Sequence, residues 1–278
     1  MKRVYFIPNG ITAFGLSIGL FVIFKTSLTD PSGDLFSLIQ AAAILLLIAA
    51  VADLADGTVA RLIKAESEFG GQFDSLSDAV TFGVAPPIVM IKSLSGDLGR
   101  VLTFFVIIAA MIYALCGILR LVRYNVQARI KLEEKGEKKP VHFTGLPIPA
   151  AAAASLSAAL ILLSPSLSGM FSLSLQTRAW IMIVAFILLG YFMVSRWKFP
   201  SVKALHFRIP SFYLVFVIGV IAVLFLYGIL EFFPIAFFVI SWLYLLIAWT
   251  LSITRLILGK KTETLADFEP EEDGSEDF

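Results

Sequence analysis

One cysteine in 278 residues, Cys116, rules out an intrachain disulfide framework and any multi-cysteine zinc or iron–sulfur site. Charge is scarce too: Asp, Glu, Lys and Arg make up 15% of the chain, against about 25% in an ordinary soluble domain. Twenty-two basic residues against 21 acidic ones leave a net charge of +1, so no global basic field favours nucleic acid. What fills the space is apolar. Hydrophobic residues account for 58% of the chain and the mean hydropathy is +0.89. A soluble fold of this composition would have too little polar surface to face water, so the bilayer is its natural solvent.

A hydrocarbon core of roughly 30 Å needs about 20 mostly apolar helical residues. Seven stretches qualify, at about 8–28, 36–60, 100–122, 146–165, 178–195, 211–230 and 232–257. An eighth is doubtful. Its apolar run, Ala79–Ile91, has 13 residues and contains Pro86 and Pro87, so it reaches spanning length only if Gly71–Asp78 is drawn into the helix. The positive-inside rule decides for it. With eight spans and a cytosolic N-terminus, 18 of the 22 basic residues face inward and only Lys25, Lys92, Arg100 and Arg178 face out. Deleting the span gives 15 against 7, in either orientation the less polarised arrangement. The expectation is an all-α integral membrane protein of eight transmembrane helices, multi-pass, with both termini cytoplasmic.

Residues 1–261 read as a single transmembrane domain, and 262–278 as an acidic disordered cytosolic tail. Met1–Tyr5 is too short for a cleavable signal peptide, so the first span is expected to be retained. Lys131–Pro140 reads as a solvated linker.

The acids carry the chemistry. Seventeen of the 21 fall in loops or the tail, leaving Asp53, Asp56, Asp74 and Asp78 inside spanning helices. An Asp near a membrane-helix centre costs about 2.5–3.5 kcal/mol, less toward the interface. Asp53 and Gly57 are four residues apart, with Ala60 and Arg61 continuing the stripe; Gly70, Asp74 and Asp78 recur every fourth residue on the next helix. A connection of about ten residues makes these helices antiparallel neighbours whose polar faces can meet. Four carboxylates brought together repel unless protons or cations neutralise them, and all-oxygen ligation suits Mg²⁺, Mn²⁺ or Ca²⁺. Gly57, Ala60 and Gly70 leave room for a ligand, and Arg61 supplies a cation for a phosphate. Carboxylates, a divalent metal, an arginine and small residues at a membrane edge suggest phosphoryl chemistry on a lipid. The competing reading takes the same aspartates as a relay in a cation- or proton-coupled transporter.

These residues spell D-x2-D-G-x2-A-R-x8-G-x3-D-x3-D, eight fixed positions from Asp53 to Asp78. The pattern resembles the signature of the CDP-alcohol phosphatidyltransferase family, with every fixed position and both spacings matched. The flanks Phe73–Pro87, Gly117–Val126 and Phe143–Ala151, with Pro8, Asn9 and Thr12 in the first helix, resemble its integral-membrane, phosphatidylserine-forming branch. The likeness covers about residues 5–165.

That resemblance implies a CDP-alcohol phosphatidyltransferase fold and a reaction in which CDP-diacylglycerol and L-serine give phosphatidylserine and CMP. It implies one or two divalent ions, Mg²⁺ or Mn²⁺, held by Asp53, Asp56, Asp74 and Asp78, with Asp78 also the base that takes the serine hydroxyl proton. Asn9, Thr12, Gly57, Ala60, Arg61 and Gly70 would contact substrate. Arg120, Arg123 and Asn125, clustered at the end of the fourth span, are candidates for the serine carboxylate or a substrate phosphate; positive-inside anchoring alone would explain the two arginines but not Asn125. His142 and His206 have no nameable partner. The resemblance also implies a homodimer surrounded by membrane lipid, and other acceptors stay open: glycerol 3-phosphate, inositol phosphate or choline.

Overall fold

The computed structural model describes residues 6–30, 33–63, 65, 67–133, 145–165, 173–195 and 232–258. Among these the chain is helical and contains no strand. It divides into two compact units, residues 1–141 with 145–195 and residues 142–144 with 196–278.

The first unit begins with α1 (Phe6–Leu28) and α2 (Leu35–Leu62), which lie side by side. Pro8 falls in the first turn of α1, where a missing N–H is tolerated. Asp34 caps α2, its carboxylate accepting from the backbone N–H groups of Phe36 and Ser37. Only residues 63–67 separate α2 from the next helix, a shorter connection than the ten residues expected. Ser67 starts α3 (Glu68–Asp78) by accepting from the Gly70 N–H over 3.0 Å. α3 runs through a π-helical segment, Ala79–Val84, into α4 (Ala85–Ser93) without a break.

The π segment has a local cause. Pro86 has no N–H to return to the Phe82 carbonyl four residues back. That carbonyl is instead met by the Tyr113 hydroxyl, which donates over 3.3 Å from a fully buried ring. Tyr113→Phe leaves the buried carbonyl without this donor, a loss of about 1–3 kcal/mol. The expected readout is a lower thermal unfolding midpoint in detergent; an unchanged midpoint would mean that water or another group satisfies the carbonyl. On its other side the segment presses against α1. A Cβ at Gly19 would come within 2.9 Å of the Thr81 Cα, so only glycine permits this approach of two backbones.

α5 (Gly99–Glu133) is longer than expected, continuing through Gln127 and Ala128 into the stretch read as a linker. The rest of that stretch lies outside the described residues. α6 (Ile148–Leu163) has 16 residues, of which 11 are buried, many of them Ala or Ser. Such small side chains let it sit among α2, α4 and α7 (Leu175–Val194) at the centre of the unit. Gly145 precedes it at φ +81°, a conformation that disfavours any Cβ, and Leu146 donates to the Phe192 carbonyl over 3.0 Å. In the second unit, α8 (Phe233–Leu258) carries a stacked Phe233–Phe237 pair.

Among the described residues, five helices are long and apolar enough to cross a bilayer: α1, α2, Gly99–Val126 of α5, α7 and Phe233–Thr250 of α8. Large apolar side chains such as Phe14, Phe21, Leu54, Val101 and Trp180 face outward, as a hydrocarbon solvent requires. The chain is a multi-pass integral membrane protein. The count of eight spans is not reproduced. α6 has 16 residues, α3, the π-helical segment and α4 are each shorter than a span on their own although they run on as one helix, and 211–230 lies outside the described residues, as does the acidic tail.

Candidate active site

The second half of α2 carries Asp53, Asp56, Gly57, Ala60 and Arg61, and α3 carries Gly70, Asp74 and Asp78. The short 63–67 connection folds α3 back so that the two aspartate faces meet beside the start of α1. One carboxylate oxygen from each of Asp53, Asp56 and Asp74 lies within 4.8 Å of the others. Asp53 is the hub, in hydrogen-bonding range of both Asp74 and Asp78. Asp78 lines the same small pocket but stands outside the three-oxygen cluster.

Hard cations are the species this arrangement fits. The pocket offers about 10 Å³ to a water-sized sphere, room for a single ion or water. Two of its buried oxygens, Asp74 Oδ1 and Thr81 Oγ1, have no hydrogen-bond partner. Three carboxylate oxygens within 4.8 Å of one another, with a buried acceptor left over, offer the donor set of an oxygen-ligated divalent ion.

α1 closes the site from behind. Thr12 is buried, and its hydroxyl donates to Asp56 Oδ2 over 2.5 Å; Ser77 Oγ lies 3.5 Å from the Thr12 carbonyl. Asn9 reaches α3 at Gly70, where a Cβ would meet Asn9 Oδ1 at 3.1 Å and Ser67 Oγ at 3.0 Å. On α2 the exposed Arg61 folds back over Gly57, its Nη2 4.0 Å from where a Cβ would stand. Gly57 and Ala60 are half-buried, and a Cβ at Gly57 would meet nothing nearer than that guanidinium.

The three polar residues at the end of α5 separate. Asn125 Nδ2 donates to Ser75 Oγ over 3.0 Å, tying α5 to the aspartate helix. Arg123 donates to the Val194 and Ser195 carbonyls over 3.1 and 3.5 Å, which places its guanidinium on the C-terminus of α7. Arg120 is half-buried one turn earlier on α5.

Sequence reasoning did not single out Ser75, Ser77, Thr81 or Tyr113. For Ser75 and Ser77 the available signal is their place between Asp74 and Asp78. For Thr81 it is a lone hydroxyl in an apolar run three residues after Asp78. Tyr113 offers no signal until its helix is placed against Pro86.

Comparison with known proteins extends the match beyond the signature. Residues 5–191 match the model of the CDP-alcohol phosphatidyltransferase family. A Helicobacter pylori protein named CDP-diacylglycerol–serine O-phosphatidyltransferase is 28% identical over 217 residues, 78% of this chain and 81% of its own. Proteins of the same name from Bacillus subtilis and Methanocaldococcus jannaschii are 30% and 34% identical, over 71% and 55% of this chain and 92% and 59% of theirs. The family match covers the helices that build the aspartate pocket and those packed around it, and the chain belongs to the CDP-alcohol phosphatidyltransferase family.

Proposed function

We propose that the protein transfers the phosphatidyl group of CDP-diacylglycerol to the hydroxyl of L-serine, giving phosphatidylserine and CMP. The observation that carries this reading is the convergence of Asp53, Asp56 and Asp74 within 4.8 Å, with Asp78 beside them, in a chain whose relatives bear that enzyme's name. Asp53, Asp56 and Asp74 would hold a divalent cation, Mg²⁺ or Mn²⁺. When bound, that ion neutralises the pyrophosphate and the charge that builds on the departing CMP.

The chain's own groups do the rest. Asp78 accepts the proton of the serine hydroxyl as its oxygen forms the new bond to the phosphatidyl phosphorus and the bond to CMP breaks. Gly57 and Ala60 let the cytidine end approach α2, and Arg61 meets a phosphate oxygen. Serine is a zwitterion, so its carboxylate wants one cation. Arg120 or Arg123, both on α5, would supply it. Thr12 acts through Asp56 as a positioning residue, orienting the carboxylate from behind.

The distribution of 18 basic residues against four supports placing the aspartate end, with both termini, on the cytoplasmic side.

CMP release by purified protein given CDP-diacylglycerol, Mg²⁺ or Mn²⁺ and a panel of alcohols tests the reading. Serine is expected to support release. Release with glycerol 3-phosphate alone would overturn the acceptor, and no release with any acceptor would leave the transporter reading in its place. A finer expectation concerns Thr12→Val. Losing the hydrogen bond to a ligand carboxylate costs about 10–100-fold in metal affinity. The metal concentration for half-maximal activity should rise by roughly that factor with turnover at saturating metal little changed, and Thr12→Ser should restore it. An equal loss in both variants would mean that Thr12 matters only for packing.

A further inference from the structure

A second cavity, of about 360 Å³, opens between α1 and α2 at the end of the unit far from the aspartates. Asp34, on its rim, and Asp53 are 19 residues apart on one helix, about 28 Å at 1.5 Å per residue. Lining residues run from Lys25, Thr29 and Asp34 at the helix ends to Val22, Ala42 and Leu45 further along. Leu45 is 11 residues into α2 from Asp34, roughly 16 Å, or half the hydrocarbon thickness. The cavity is thus polar at its mouth, apolar inside, and about one leaflet deep.

Its electrostatics point to one class of ligand. Asp34 is engaged in capping α2, so its negative charge is already met by two backbone N–H groups. Lys25 is exposed at the mouth, and Lys92 reaches the same place to donate to the Thr29 carbonyl. These are two of the four basic residues that the charge distribution leaves on the far side of the membrane. Thr26, next to Lys25 in the chain, lines the cavity; it is 1% exposed and its hydroxyl has no hydrogen-bond partner. A buried hydroxyl left unmatched in a helix, beside a cation and above an apolar channel, is a donor awaiting an acceptor.

We propose that this cavity is a binding site for an anionic phospholipid of the leaflet opposite the aspartate cluster, distinct from the substrate site. The lipid phosphate accepts from Thr26 and pairs with Lys25, and one acyl chain follows Val22, Ala42 and Leu45. The site discriminates by net headgroup charge, since the cations at the mouth gain nothing from a zwitterionic headgroup that carries its own.

The test titrates the purified full chain in detergent, by native mass spectrometry, separately with phosphatidylglycerol, phosphatidylcholine and inorganic phosphate. Wild type should hold one phosphatidylglycerol at a concentration where phosphatidylcholine does not bind. Lys25→Gln and Thr26→Val should each raise its half-saturation about tenfold, the loss of one strong hydrogen bond or ion contact. Neither should change the rate of CMP release, because both lie a membrane thickness from the aspartates. Lys25 is exposed and Val is isosteric with Thr, so both variants should fold. Equal retention of the two lipids, or unchanged half-saturation in both variants, would overturn the proposal. So would displacement of the lipid by equimolar inorganic phosphate, which would make the ligand a free anion. A fall in CMP release that tracks loss of the adduct would put the lipid at the aspartate pocket and equally overturn it.

Discussion

Asp78→Asn is expected to lower serine-dependent CMP release about 10³-fold, within the 10²–10⁴ range that a positioned base contributes. The amide has the shape of the carboxylate and packs the same space, but it accepts no proton at neutral pH. Asp78 shares the pocket with Asp53, Asp56 and Asp74 without belonging to their three-oxygen cluster, so those three stay in place to bind the donor lipid. CDP-diacylglycerol binding should therefore remain close to wild type while single-turnover release collapses. Wild-type-like turnover would remove the base assignment. A parallel loss of binding and turnover would make Asp78 a ligand instead.

Removing divalent ions should be as damaging. With chelator in excess, CMP release is expected to fall by 10³-fold or more, a loss of several kcal/mol of transition-state stabilisation, and to return on adding Mg²⁺ or Mn²⁺. Asp53 is the residue through which this is best tested, because it touches both Asp74 and Asp78. Asp53→Asn should raise the metal concentration for half-maximal activity about 100-fold, at the upper end of what even an outer partner of a metal ligand contributes. A readout independent of turnover accompanies it. Four neighbouring carboxylates repel when no cation lies between them, so the metal should raise the thermal unfolding midpoint of wild type and raise it less in Asp53→Asn. Full activity after exhaustive chelation would sink the metal reading, whatever the stability data show.

Much of this site is legible in one dimension because a helix repeats every 3.6 residues. Asp53 with Gly57, and Gly70 with Asp74 and Asp78, need only the helical period to share a face, and a short connection needs only chain length to bring those faces together. The pairings across the site are of another kind. Thr12 meets Asp56 across 44 positions, and Asn125 meets Ser75 across 50. No local spacing encodes either. Arg123 makes a contact of the same kind, its guanidinium meeting the Val194 and Ser195 carbonyls across 71 and 72 positions. The span count is met only in part among the described residues. Hydropathy measures what a segment would prefer to touch, whereas α6 is enclosed by other helices and needs neither full length nor a lipid-facing surface.

Solvent and periodicity, both properties of the chain as written, therefore determined that this is a helical membrane protein whose few intramembrane acids lie on two facing stripes. Scarce charge made that possible, since each acid within the membrane carries a cost that the chain incurs only four times. Tertiary structure decided what the acids do with one another. It drew three into a cluster with the fourth beside it, set Thr12 behind them, and left two buried oxygens without partners. It also placed Tyr113 on the carbonyl that Pro86 releases, and Lys25 and Thr26 on a cavity at the opposite end. Each of these depends on distances between helices, which side-chain packing sets and which no repeat along the sequence records.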